Sequence, residues 1–254
     1  MRRIVAAGLV AGLTVGVISP ASAAVIGGDQ LGLPGVQVSA NSTAPAPPPI
    51  KARTWILADA TTGEVLAAKR AHKPRPPAST LKTLTTLTLL PKLPLASTTV
   101  ASAKAANIYG AKAGLEAGQT YTIENLFYGM MLPSGNDAAI AIAEANGGIK
   151  PTVAAMNAVA QQLQANDTHA KSPNGLDTPG QTSSAYDLAL IARAGLARPD
   201  FATIVSTKPA MPGNVITAPT YAMRPRSSFA FATGGSSAGT VQVETACFRS
   251  TISA

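Results

Sequence analysis

The chain has 254 residues, 20 Lys+Arg against 12 Asp+Glu, a formal net charge of +8 and only 4% aromatic residues. That length fits one or two domains. A single cysteine, Cys247, excludes a fold built on internal disulfides. The basic residues are scattered, without a Lys/Arg block or interleaved aromatics, so no nucleic-acid site is expected.

Residues 1–23 read as a signal peptide: Arg2-Arg3, an apolar stretch from Ile4 to Ile18, then Ala21-Ser22-Ala23 as a small-residue cleavage site. The apolar stretch is short for a membrane anchor, which needs about 20 residues. Export to a periplasmic, cell-wall-associated or extracellular location is therefore expected. Residues 24–50 are rich in Gly, Ala, Ser and Pro, a linker composition in which no fold is expected.

From Thr54 to Arg70 the pattern predicts a hairpin: Trp55-Ile56-Leu57 and Val65-Leu66-Ala67 flank a turn containing Gly63. Two strands alone are marginal and need partners elsewhere in the chain. His72 lies in a polar, proline-rich run and is expected to be solvated. Prolines 74, 76 and 77 then precede a helix expected to run from Ala78 to Leu90, where Pro91 stops it. Each helical residue advances about 100° around the axis. Ser79, Lys82, Thr83 and Thr86 therefore share one polar stripe on an otherwise apolar helix.

Ser79 and Lys82 at i and i+3 are neighbours on that helix. A serine hydroxyl is a weak nucleophile until a base removes its proton. A lysine in a desolvated cleft near the positive end of a helix has its pKa pushed down and becomes a usable base. S-x-x-K alone is a common surface pair, so the pattern needs support from elsewhere in the chain.

The stretch Ala96–Thr120 reads as polar and irregular. Thr122 then caps a helix carrying Ile123, Leu126, Phe127, Met130 and Met131 at i, i+3, i+4, i+7 and i+8. Ser134-Gly135-Asn136 follows on a tight loop, Asp137 begins an Ala- and Ile-rich helix ending at Gly147-Gly148, and Pro151 opens another. Ser172-Pro173-Asn174-Gly175 reads as a turn. Ser184 caps a helix from Ala185 to Ala194, with Gly195 as its stop.

Ser-x-x-Lys at 79–82 and Ser-Gly-Asn at 134–136 together resemble the penicillin-recognising serine enzymes. Within that group the chain looks like the D-alanyl-D-alanine carboxypeptidases of the low-molecular-weight penicillin-binding type, peptidase family S11. The resemblance rests on Pro77-Ala78-Ser79-Thr80-Leu81-Lys82, Leu132 to Ala139, Met156-Asn157, Thr168-His169 and Asn174-Gly175-Leu176-Asp177. It runs from about Thr54 to about Thr207.

The resemblance implies an α+β fold, with a helical subdomain and an antiparallel sheet around Ser79, and a catalytic domain spanning 51–207. It implies catalytic roles for Ser79 as nucleophile, Lys82 as proton acceptor and Ser134 as proton shuttle to the leaving amine, with Asn136 binding the substrate backbone. It implies a peptidoglycan stem peptide as substrate, β-lactams as inhibitors that acylate Ser79, and no metal or organic cofactor. His169 belongs to the family pattern as a structural residue, and Asp177 as a turn residue.

The chain departs from the pattern in its last part. The family's third motif, Lys-Thr-Gly or a His/Arg variant, is absent after Ser134. Arg226-Ser227-Ser228 lacks the glycine, and Thr233-Gly234 lacks a preceding cation. Residues 208–254 form an atypical tail, expected to be poorly ordered apart from one strand between Val241 and Phe248, and a shifted reading frame or truncation near 209–213 is the expected cause. The hairpin would then keep an open edge, the sheet would be incomplete, and activity would be impaired. Two other readings stand beside the enzyme: a non-catalytic cell-wall or β-lactam-binding remnant, and a class A-like β-lactamase. No Glu-x-x-Leu-Asn segment follows Ser134 to support the latter.

Overall fold

The structure, a computed structural model, describes residues 26–39, 50–207 and 240–244. The expected signal peptide and the expected break at 209–213 lie outside the described residues. In chain order the elements are β1 Gln37–Val38, β2 Trp55–Asp59, β3 Val65–Lys69, α1 Lys82–Leu89, β4 Thr98–Val100, α2 Ala103–Ala106 and β5 Thr120–Thr122. They continue with α3 Ile123–Met131, α4 Asn136–Ala145, α5 Ile149–Gln162, α6 Ala185–Leu196, α7 Pro199–Ser206 and β6 Thr240–Glu244.

The predicted hairpin forms as β2 and β3, with Trp55 opposite Lys69 and a bulge between Leu57 and Ala58. The Asp59 carboxylate accepts the Thr61 and Thr62 amides at 2.8 and 2.7 Å, and Gly63 turns the chain at φ 81°. From α6, Arg193 donates to the carbonyls of Ala60 and Thr61 at 2.9 and 3.0 Å, fixing the turn to the helix.

Two expectations about this sheet are corrected. Residues 24–50 are not structureless throughout: a 3-10 turn at Gly28–Gly32 and the strand β1 lie there, and β1 pairs antiparallel with β3. Ile26 and Leu31 are buried against Ile56, Val65, Ala68, Ala71 and Ala185. Two apolar residues suffice because the hairpin offers both an unpaired edge and an uncovered apolar face. The other edge is not open either. β6, from the atypical tail, pairs antiparallel with β2, giving the order β1-β3-β2-β6.

The helical part is built on α1. Leu81, Leu84 and the threonines 83, 85, 86 and 88 are all buried. The Thr86 and Thr88 hydroxyls satisfy themselves on the carbonyls of Lys82 and Leu84, while Thr85 reaches Pro173 O at 2.7 Å. The first turn, Ala78–Leu81, is 3-10 rather than α. α1 packs with α5 and α6 around Leu84, Met156, Ala160 and Ile191. A second cluster joins α3, α4 and α7 through Phe127, Met130, Ile142 and Phe201.

Four further points differ from the sequence analysis. The region 96–120 contains β4, α2 and β5, the two strands pairing with each other. α6 runs one residue past Gly195 to Leu196, and the glycine is where the Phe201 ring packs, since an added Cβ would meet that ring at 2.8 Å. α7 escaped the sequence reading, although Pro199 occupies its first turn. His72 is not simply solvated. It is half-buried, with Nδ1 3.2 Å from Asp167 Oδ2 and its ring 4.4 Å from Tyr186. Among the described residues no helix is long and apolar enough to cross a membrane.

Candidate active site

Lys82 opens α1 with its side chain drawn inward, 2% exposed. Its Nζ lies 3.0 Å from Ser79 Oγ, 3.2 Å from Ser134 Oγ and 2.8 Å from Asn136 Oδ1. The four residues named from the sequence thus meet at one amine. Ser79 comes from the 3-10 turn that leads into α1 and Lys82 from the first residue of α1, while Ser134 comes from the loop between α3 and α4 and Asn136 from the first residue of α4.

That loop is held in an uncommon backbone. Ser134 has φ 62°, left-handed for a non-glycine residue. Such a conformation persists only where the surroundings over-determine it. Gly135 N donates to Gly129 O at 3.0 Å, and a Cβ on Gly135 would meet that same oxygen at 2.6 Å, so only glycine fits there. Asp137, fully buried, accepts four backbone N–H groups: Ala113 and Ala138 on Oδ1, Gly114 and Leu115 on Oδ2, at 2.7–3.0 Å. The sequence reading gave this aspartate only a helix-start role. Its position directly after Ser-Gly-Asn was the available signal.

The turn that carries Ser79 is fixed by a second close approach. Ala78 is left-handed at φ 49°, and Gly175, at φ 78°, packs so closely that a Cβ there would overlap Ala78 O and lie 2.7 Å from Ala78 C. Gln181 organises this turn: its Oε1 accepts from the Lys171 and Ser172 amides, and its Nε2 donates to Leu176 O at 2.8 Å. Asn157 clamps both backbone groups of Ala170. These contacts explain why Met156-Asn157 and Asn174-Gly175 belong to the pattern without touching Ser79's hydroxyl.

Burial lowers the pKa of Lys82 from 10.5 to about 7, and the Asp137 charge partly opposes this. The amine is therefore substantially neutral near neutral pH. Asn136 Nδ2 donates to the Tyr109 carbonyl at 2.8 Å, which only accepts, so Oδ1 must face Lys82. A neutral amine then donates to Asn136 Oδ1 and to one hydroxyl, leaving its lone pair for a proton from the other. The arrangement can deprotonate a half-buried serine and hand the proton to a neighbouring hydroxyl.

His169 stands apart from this cluster. Its backbone pairs with Thr182, and its side chain is exposed. Asp177 is exposed in the turn. Donor atoms of His72, Asp167 and Asp187 lie within 4.8 Å of one another. Asp187, however, already accepts from Thr168 Oγ1 at 2.7 Å, and it sits in the first turn of α6, where the helix dipole disfavours a cation. The three tie the segment before Ser79 to α6.

A helical half, an antiparallel sheet and a buried lysine between two serines define the penicillin-recognising fold. The comparisons place the chain more narrowly. It belongs to the D-alanyl-D-alanine carboxypeptidase family, peptidase S11, whose profile matches residues 41–212. D-alanyl-D-alanine carboxypeptidase DacB2 of Mycobacterium tuberculosis is 43% identical over 162 residues, 63% of this chain and 56% of that protein. The crystal structure of a D-alanyl-D-alanine carboxypeptidase from the same organism superposes with a TM-score of 0.64 at 43% identity, covering 67% of this chain and 65% of that one. Penicillin binding protein 6B from Escherichia coli gives 0.62 at 34% identity, covering 68% and 59%. The chain spans about half the length of the curated relatives it matches.

Proposed function

We propose that the chain is an exported serine-type D-Ala-D-Ala carboxypeptidase acting on peptidoglycan stem peptides. The observation that carries this is the buried Lys82 amine within bonding distance of Ser79 Oγ, Ser134 Oγ and Asn136 Oδ1. Ser79 Oγ attacks the carbonyl of the penultimate D-Ala while Lys82 Nζ takes its proton. Ser134 relays that proton to the nitrogen of the terminal D-Ala, which leaves as a neutral amine. Water then attacks the ester at Ser79, giving its proton to Lys82, and the shortened peptide departs as the free acid while the Ser79 hydroxyl is restored. A β-lactam follows the first half of this path and remains as an ester on Ser79.

Intact-mass spectrometry after incubation with benzylpenicillin tests the reading. The expected result is one covalent adduct, mapped by proteolysis to the peptide containing Ser79. A folded protein that takes up no adduct supports the non-catalytic remnant instead. Without a Lys-Thr-Gly segment one oxyanion partner is lacking, and removal of such a donor typically costs about 10²–10³ in rate. D-Ala release from a tripeptide substrate is accordingly expected to be slow, and a family-like rate would refute the impairment.

Gly175 gives a second check. Gly175→Ala forces the Ala78–Ser79 peptide to move, because no rotamer change can relieve a Cβ lodged against backbone. A displacement of about 1 Å at a reacting group costs up to about 10²-fold. Benzylpenicillin acylation is expected to slow roughly tenfold or more, and an unchanged rate would show that the turn does not set the position of Ser79.

A further inference from the structure

The large apolar side chains left exposed among the described residues are Leu33, Val36, Val38, Val100 and Tyr109. Leu33, Val36 and Val38 fall together at the β1 edge of the sheet. Scattered exposed apolar residues are ordinary, whereas a contiguous group marks a contact surface. Strand register shows what lies beside this group. Val38 pairs with Ala67 and Gln37 with Ala68, so Val36 comes level with Lys69. Leu31 O accepts from Ala71 N at 2.8 Å, which keeps Leu33 close to the turn that follows β3. On the other side of β3, Trp55 pairs with Lys69, and Lys69 Nζ donates to Ala52 O at 3.2 Å, so Lys51 and Arg53 reach the same end of the sheet. Arg70, left-handed at φ 47°, opens a turn in which its carbonyl accepts from Lys73 N at 3.0 Å. Lys51, Arg53, Arg70 and Lys73 are all exposed, and among the described residues none of them forms an ion pair. Against them stand Asp29 and, at the backbone position opposite Trp55, Glu244. One end of the sheet thus joins exposed apolar side chains to an excess of positive charge.

We propose that this end of the sheet docks on an anionic phospholipid surface. Leu33 and Val36 enter the boundary between headgroups and acyl chains, and Lys51, Arg53, Arg70 and Lys73 lie over the phosphates. A hydrated acidic polymer would use the cations but gain nothing from Leu33 and Val36. A second copy bound about a two-fold axis would set the same cations against each other. Position agrees with a lipid surface. Ile26, buried with Leu31 against this sheet, is where the chain arrives from the apolar stretch Ile4–Ile18. In an exported chain that stretch meets the membrane, and the docking end is next to it along the chain. The surface stands whether or not Ser79 turns over D-Ala-D-Ala peptides.

The test is co-sedimentation with vesicles of equal parts phosphatidylglycerol and phosphatidylcholine. It uses the chain from Ala24 onward, which leader removal leaves and which keeps every described residue. At about 0.1 M salt, where exposed charges act over about 10 Å, binding to these vesicles is expected, and none to phosphatidylcholine alone. Each cation at an anionic surface contributes about fivefold, so Arg53→Gln with Arg70→Gln is expected to weaken binding about thirtyfold. Arg53→Lys with Arg70→Lys keeps it near the parent value. Leu33→Ser with Val36→Ser leaves the charge unchanged and is expected to weaken binding about tenfold. Circular dichroism shows that each variant keeps the parent fold. Equal binding to both vesicle types, or no loss on removing the two arginines, overturns the proposal. Loss on removing the arginines with none on removing Leu33 and Val36 overturns it in favour of an acidic polymer. Vesicle binding by a protein that takes up no benzylpenicillin sustains the docking surface while the carboxypeptidase reading falls.

Discussion

Replacing Lys82 with methionine is expected to slow acylation of Ser79 by about 10³-fold, within the range a positioned general base supplies. Lys82→Arg should do no better. A guanidinium keeps its proton at any working pH, so it cannot accept the one from Ser79. The same lysine sets the pH dependence. With its pKa lowered to about 7 by burial, the fraction of neutral amine falls about tenfold per unit below that value. Acylation by benzylpenicillin should fall with it and level off above. A rate that is flat between about pH 5 and 8 would remove Lys82 as the base.

Stability carries the same signature with a definite sign. The folded pKa lies below the unfolded 10.5, so between about 7 and 10.5 the unfolded chain binds the extra proton. Stability therefore rises with pH through that window, by about 1.4 kcal/mol per unit, and the full cost of about 5 kcal/mol is present below it. Lys82→Met lacks this term. In denaturant melts at about pH 7 and pH 10, wild type is expected to gain on the mutant as pH rises. Parallel curves would mean that the amine is not desolvated as the structure has it.

Ser79 and Lys82 were legible because three residues apart on a helix is a geometric statement. The nearness of Ser134 and Asn136 was not a matter of period. They stand 52 and 54 residues from Lys82, and only the family resemblance joined the two segments. What the sequence reading missed are contacts between distant segments. Gly195 looked like a helix stop because composition does not reveal that Phe201 will lie against it. Residues 26–38 looked like linker because Ile26 and Leu31 are too few to form a pattern, yet the hairpin edge gave them a place. β6 is a plain five-residue strand whose importance lies in its pairing with β2.

Asp137→Ala is expected to destabilise the protein by about 4 kcal/mol or more, at the upper end of what a single exchange does. Its carboxylate accepts the amides of Ala113, Gly114, Leu115 and Ala138 in a fully buried position. Each buried donor left unpaired costs about 1–3 kcal/mol, and alanine supplies no substitute acceptor. Asp137→Asn keeps one oxygen and should recover roughly half the loss, since its amide nitrogen then faces donors. That milder variant separates folding from chemistry. The Asp137 charge raises the pKa of Lys82, so neutralising it lowers that pKa further. The acylation profile of Asp137→Asn should shift to lower pH than wild type while the folded population, followed by circular dichroism, remains intact. A shift to higher pH would break the electrostatic link between the loop brace and the Lys82 amine, and with it the claim that one aspartate both holds the Ser134 loop and tunes the amine beside it.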